Sequence, residues 1–230
     1  MKDTLQNKMN RRETIFGLCY LVAQQYPIPF LLTLGMALIG LTTTDLWINF
    51  IFFTFNFAVI TLVFRRYLLE ELRTFGSKPF SVIGLCVIGF VIYWIANIFV
   101  GLVLALFFPG YHNPNDANIA SMAGDQFWVM FIGSVILVPV VEETLYRGVV
   151  FGLADRFSRP LAYFLSTVLF ALIHVIGYVG VLKAQYVPVA MLQYVPAGLC
   201  LSWAYARSKT IVAPILIHTA VNLLGMLAMR

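Results

Sequence analysis

The sequence predicts an all-α fold, a polytopic transmembrane helical bundle of about seven spans with a cytoplasmic N-terminus. Three observations predict it. Apolar residues make up 61% of the 230 and charged residues only 11%, where a soluble domain carries about 25% charged. Several apolar runs reach the roughly 20 residues that a helix rising 1.5 Å per residue needs to cross the hydrocarbon. The third observation is the placement of the cations. With the N-terminus inside, the inner segments hold Lys2, Lys8, Arg11 and Arg12, then Arg65, Arg66, Arg73 and Lys78, then Arg156 and Arg159, and last Arg207 and Lys209. Outside are only Lys183 and Arg230, and Arg147 lies within a span. This asymmetry follows the positive-inside rule, and a missed or extra span would scramble it.

Span one lies within Thr14–Thr44, and Pro27 and Pro29 predict a break near Gln25-Tyr26-Pro27. It is too long for a cleaved signal peptide and lacks a small-residue cleavage pattern. Thr42-Thr43-Thr44-Asp45 is a turn, and span two is about Leu46–Phe64. A charged segment, Arg65–Lys78, leads to span three, about Phe80–Phe108, which Pro109-Gly110 stops. Tyr111–Gln126 is a polar outer loop with Asp116 and Asp125 and no Lys or Arg. Span four is about Phe127–Leu153, span five Pro160–Tyr178, span six Val187–Ala206 and span seven Thr210–Met229. We expect residues 1–125 to form the first three spans and the outer loop, and residues 126–230 to form the core that carries the chemistry. There is no internal repeat.

The charge of +5 is no nucleic-acid signal, because the cations are scattered in short clusters between apolar runs. Cys19, Cys86 and Cys200 are odd in number and sit in apolar runs. They read as small core residues rather than a disulfide framework. His112 reads as a surface residue of the outer loop.

Ionisable groups inside a bilayer are expensive, about 2.5–3.5 kcal/mol each at a helix centre, and usually face the bundle interior. Here they are Glu142, Glu143, Arg147, His174 and His218, with Asn222 as an uncharged companion. Glu143 precedes Arg147 by four residues, the favourable order for a helical ion pair. Glu142 lies about 100° round the helix with no local cation. Counted from the inner ends, Glu142 is roughly 18 Å deep, His174 roughly 22 Å, His218 roughly 13 Å and Asn222 roughly 19 Å. Groups from spans four, five and seven therefore share a depth and can meet in one pocket. Pro139 and Pro214, shortly before Glu142 and His218, are expected to open their helices.

A carboxylate in an apolar site suits a general base. A histidine beside it can hold a water, and an imidazole with a carboxamide can donate to a developing oxyanion. One carboxylate and two histidines also make a three-ligand zinc site with an open position, the other glutamate then acting as base. Each group has a plainer role: a structural ion pair for Glu143–Arg147, interhelical hydrogen bonds for the histidines and Asn222, packing for Phe170. Their joint occurrence at one depth favours a site.

Glu142-Glu143-Thr144-Leu145-Tyr146-Arg147 fits EExxxR, Phe170-Ala171-Leu172-Ile173-His174 fits FxxxH, and His218-Thr219-Ala220-Val221-Asn222 fits HxxxN. In order and in placement on three spans, these resemble the motifs of the CAAX-protease and bacteriocin-processing (CPBP, or Abi) family. The resemblance covers about Val138–Leu224. It implies an intramembrane endopeptidase, open toward the cytoplasm, acting on a membrane-associated peptide or protein. By motif position, Glu142 and His174 would activate water, His218 and Asn222 would stabilise the oxyanion, and Glu143 and Arg147 would support the site. No cofactor is firmly implied. Zinc remains possible, but Glu142 as the one unpaired carboxylate suffices for a base and not for a base plus a ligand, which favours a metal-free site. The expected location is the bacterial cell membrane. The competing readings are a non-catalytic bacteriocin-immunity protein and a proton-coupled transporter, the latter weakened by the absence of a repeat.

Overall fold

A computed structural model describes residues 8–41 and 44–229, without the side chain of Asp125. Lys2, the Thr42-Thr43 part of the expected turn and Arg230 lie outside the described residues. Predicted span one is a bent pair of helices, as its prolines foretold, and each later span is helical. We number the helices α1 (Arg11–Ala23), α2 (Pro27–Leu38), α3 (Asp45–Val63), α4 (Arg65–Gly76), α5 (Pro79–Phe107) and α6 (114–125). The chain then runs on as α7 (Gln126–Ala154), followed by α8 (Arg159–Ile176), α9 (Tyr186–Ser208) and α10 (Val212–Ala228). Helices α3, α5, α7, α8 and α9 are long and apolar enough to cross a membrane. The pair α1 and α2, bent by 62°, adds a sixth span if taken together, and α10 is a shorter apolar helix. The chain is a multi-pass membrane protein.

Proline positions explain several helix starts. Pro27, Pro79, Pro114 and Pro160 stand in the first turn of their helices, where a missing N–H leaves no bond unmade. Pro214 does the same in α10. It starts that helix rather than opening it beside His218, contrary to expectation. Pro139 does act inside a helix. The segment before it, Ile132–Leu137, is π-helical, as is Thr144–Phe151 after Glu143. Lacking an N–H, Pro139 cannot bond the carbonyl four residues back, and a wider turn accommodates the loss.

One sequence assignment changes. The segment Tyr111–Gln126 is mostly helix, because Asn113 caps α6 by accepting from the amides of Asn115 and Asp116. A break at Gln126 (φ −147°, ψ 74°) then turns the chain into α7. The charged segment Arg65–Lys78 is also helical, as α4. Its Glu71 is buried and joins distant parts of the chain. It accepts from the amide of Ile211 at 2.7 Å and meets Lys8 Nζ at 3.0 Å, while Thr210 Oγ1 donates to its backbone carbonyl. Beside it Arg66 binds Glu13 at 2.6 Å, and Arg159 closes the α7–α8 turn onto Asp155. At this basic end Phe64, Tyr67, Leu145, Val149, Phe151 and Tyr205 form the buried core.

Candidate active site

Helix α7 places two adjacent carboxylates in opposite circumstances. Glu143 and Arg147 are both fully buried, with Oε1 and Nη1 3.0 Å apart. Arg147 Nη2 also donates to the Gly198 carbonyl at 3.3 Å, and its guanidinium lies 4.5 Å from the Phe170 ring centre. Packing of α9 on α8 here requires a glycine, since a Cβ on Gly198 would fall 2.7 Å from Thr167 Cγ2 and 3.0 Å from its backbone. Glu142, next along the chain, has no cation, and its buried Oε2 has no hydrogen-bond partner.

Two histidines face that oxygen. His174 Nε2 and His218 Nε2 each lie 4.0 Å from Glu142 Oε2. The opposite nitrogens are engaged. His174 Nδ1 is 2.8 Å from the Phe170 carbonyl, and His218 Nδ1 is 2.8 Å from Glu143 Oε1. Both partners accept only, so both Nδ1 atoms carry the proton. In the neutral rings the two Nε2 lone pairs then point at the unpartnered carboxylate oxygen. At 4.0 Å these are not direct hydrogen bonds, but a water can bridge such a gap, about 2.8 Å from each side.

Glu142, Glu143, Arg147, His174 and His218 thus converge. Asn222 reaches the same cavity, and its Nδ2 donates to the Ser134 carbonyl at 2.8 Å, on the π-helical turn before Pro139. Phe170 does more than pack. It lies under Arg147, edge-on to Tyr146 and against both imidazoles. Sequence reasoning missed two further parts. Tyr194 of α9 stacks on His174 at 4.3 Å and 25°, and its hydroxyl accepts from Asn113 Nδ2 at 2.8 Å. Ser134 supplies the carbonyl that orients Asn222. The available signal for Tyr194 was its position inside an apolar span.

The donor types, two imidazole Nε2 and one carboxylate oxygen, are those of an open zinc site. Zinc bonds of about 2.0–2.1 Å set ligand-to-ligand edges near 3.3 Å, against the two 4.0 Å separations here. Among the described residues no group of three His, Cys, Asp or Glu is arranged to hold a metal ion. The residues match zinc in kind but not in spacing.

The site opens into a cavity of about 590 Å³. Its exposed lining residues are Asp116, Asn118 and Met229, at the end of the bundle capped by α6. No residue of the basic segments 65–78, 155–159 or 207–209 lines it. The resemblance implied a site open toward that basic end, but the packed core of Tyr67, Leu145, Val149 and Tyr205 closes it.

The family comparison falls on the segment that carries these residues. Residues 124–224 match the family described as Type II CAAX prenyl endopeptidase Rce1-like. That segment, a little under half of the chain, carries all three motifs and is similar to the Rce1-like CAAX-protease family. Over 217 residues, 88% of this chain and 83% of the relative, the sequence is 25% identical to the membrane-embedded CAAX protease MroQ of Staphylococcus aureus. It is 31% identical over 90 residues to the UPF0177 protein YxdF of Lactococcus lactis, covering 39% of this chain and 44% of the relative. It is 32% identical over 95 residues to the putative membrane peptidase YdiL of Bacillus subtilis, covering 41% and 34%. The chain thus spans less than half the length of two of these relatives and most of MroQ. No solved structure matches.

Proposed function

We propose that the protein is an intramembrane endopeptidase that hydrolyses a peptide bond of a membrane-associated protein or peptide. The observation that carries this reading is the unpartnered Glu142 Oε2 facing two imidazole Nε2 atoms at 4.0 Å. The Rce1-like match and the names of MroQ and YdiL support it.

In this mechanism a water sits between Glu142 and His174. Glu142 takes its proton as the oxygen attacks the carbonyl carbon, and the π electrons of the carbonyl move to oxygen. Protonated His218 and the second N–H of Asn222 donate to that oxyanion. Glu143 faces His218 Nδ1 and balances the added charge, while Arg147 offsets Glu143. One buried arrangement then holds two carboxylates and two cations. The tetrahedral intermediate collapses, its C–N bond breaks, and the proton on Glu142 passes to the leaving amine, directly or through His174. No step needs a metal. A zinc-dependent version has the donor types in its favour and the 4.0 Å spacings against it.

The test is cleavage of membrane-spanning peptides by purified protein in lipid discs. Glu142→Gln and His174→Ala are expected to abolish it, and undiminished cleavage by both would reject the reading. A non-catalytic immunity role instead predicts that both variants keep the cellular phenotype.

A further inference from the structure

Holding one water and one carbonyl needs far less than the cavity provides. Ten of its 36 lining residues are Asn or Gln, and none is Lys or Arg. Three lining polar atoms outside the motifs are buried with no hydrogen-bond partner: Gln24 Nε2, Trp94 Nε1 and Gln193 Oε1. Two are donors and one is an acceptor. Gln24 is only 6% exposed. It stands where the first span breaks between α1 and α2, and irregular backbone at membrane depth is tolerated where it lines a cavity or is buried in protein. Unmet buried donors and acceptors are unfavourable, so their grouping around one cavity calls for an occupant.

A lipid tail would leave all three atoms unmet. An anionic head would meet Asp116 and Glu142 and no lysine or arginine, and a cationic ammonium, which only donates, would leave the Gln24 and Trp94 donors unmet. A polypeptide backbone offers uncharged donors and acceptors in alternation, which is what the three atoms require. The direction of entry follows from packing and charge together. The exposed lining residues Asp116, Asn118 and Met229 lie at the α6 end. The cation-rich segments lie at the sealed end, and the positive-inside rule assigns those to the cytoplasm.

We propose that the cavity receives its substrate as an extended, uncharged stretch of polypeptide entering from the non-cytoplasmic side, with Gln24, Trp94 and Gln193 hydrogen-bonding its backbone. This deepens the protease reading and rests on it for the fate of the bound chain, though not for its entry or binding.

Two measurements on the full chain test it. For entry, Ala117→Cys on α6 and Ser77→Cys beyond α4, both exposed, are made in a Cys19→Ser background and treated with a membrane-impermeant maleimide. In intact cells Ala117→Cys is modified and Ser77→Cys is protected, and in inside-out vesicles the pattern reverses. The opposite pattern overturns the entry side. For binding, the Glu142→Gln protein in lipid discs is titrated with a short, blocked, neutral fluorescent peptide of alanine, leucine and serine. Matched peptides are N-methylated along the backbone or carry two lysines. The N-methylated peptide is expected to bind at least about 10-fold more weakly, as loss of one or more buried hydrogen bonds implies. The dilysine peptide is expected to bind more weakly because two ammonium groups are desolvated where Asp116 is the one lining carboxylate left. The double variant Gln24→Leu, Gln193→Leu reduces the parent peptide to the N-methylated level. Equal binding of parent and N-methylated peptides, or no binding of the parent, overturns the backbone assignment. Neither measurement needs cleavage, so both outcomes stand whatever the cleavage assay gives.

Discussion

At its basic end the bundle is closed by a core of Phe64, Tyr67, Leu145, Val149 and Phe151 and by side chains that pair across the sequence: Glu71 with Lys8 and the Ile211 amide, Glu13 with Arg66. At the α6 end the same helices diverge around a cavity whose polar atoms include several without partners. The catalytic candidates sit where the two meet, with Glu143 and Arg147 on the packed side and Glu142, His174 and Asn222 on the open side. The contrast between the two adjacent carboxylates shows what burial does. Glu143 gives its Oε1 to both Arg147 and His218 and has its Oε2 sealed in protein without a partner, whereas the free Oε2 of Glu142, a cavity-lining residue, faces two imidazoles. A polar group serves a reaction only where packing leaves it incomplete.

The largest effect expected from breaking this contrast is on the open side. Glu142→Gln should lower peptide cleavage by about 10²–10⁴-fold, the range for a lost general base, without lowering thermal stability in detergent. A variant within tenfold of the parent would move the base elsewhere. On the packed side, Arg147→Met should lower stability by about 3–5 kcal/mol, because Glu143 is left buried and uncompensated. Thermal unfolding measures this. The double variant Glu143→Gln, Arg147→Met should recover part of the loss, and strict additivity of the two single changes would deny the pairing. Gly198→Val drives a side chain into Thr167 and is expected to cost about 1–3 kcal/mol, with cleavage falling as the Arg147 contact to the Gly198 carbonyl moves. Arg66→Ala removes a half-exposed arginine from the pair with buried Glu13, which keeps the Asn10 amide as a partner. It should change stability by only about 0.2–1 kcal/mol and leave cleavage unchanged. The smallest effect expected is that of a zinc chelator on active protein, which should be none. Inactivation reversed by added zinc would instead establish the metal-dependent version.

Much of the site was legible because it is local. The order Glu143 then Arg147 foretold their ion pair, and the apolar runs located the helices to within two residues at most ends. Phe170 and His174, four apart, do touch. The rest was illegible for a physical reason. That His218 turns its Nδ1 to Glu143, that Asn222 binds the Ser134 carbonyl and that Tyr194 stacks on His174 all depend on which helix faces which, and periodicity along one helix carries no record of its neighbour. The polar stretch Tyr111–Gln126 reads as a loop because it is mostly polar and its apolar face is no more than Ile119, Met122 and Ala123, although the Asn113 cap and Pro114 at the first turn are in view.

By itself the sequence determined that this chain lives in a membrane, where its helices lie, and that a few ionisable groups share one depth. Hydrophobicity and helical rise decide those matters residue by residue. The tertiary structure alone decided which ring nitrogens face the free carboxylate and which end of the bundle stays open. Those follow from packing between segments far apart in the chain, where a single close contact such as Gly198 against Thr167 fixes what the neighbouring side chains can reach.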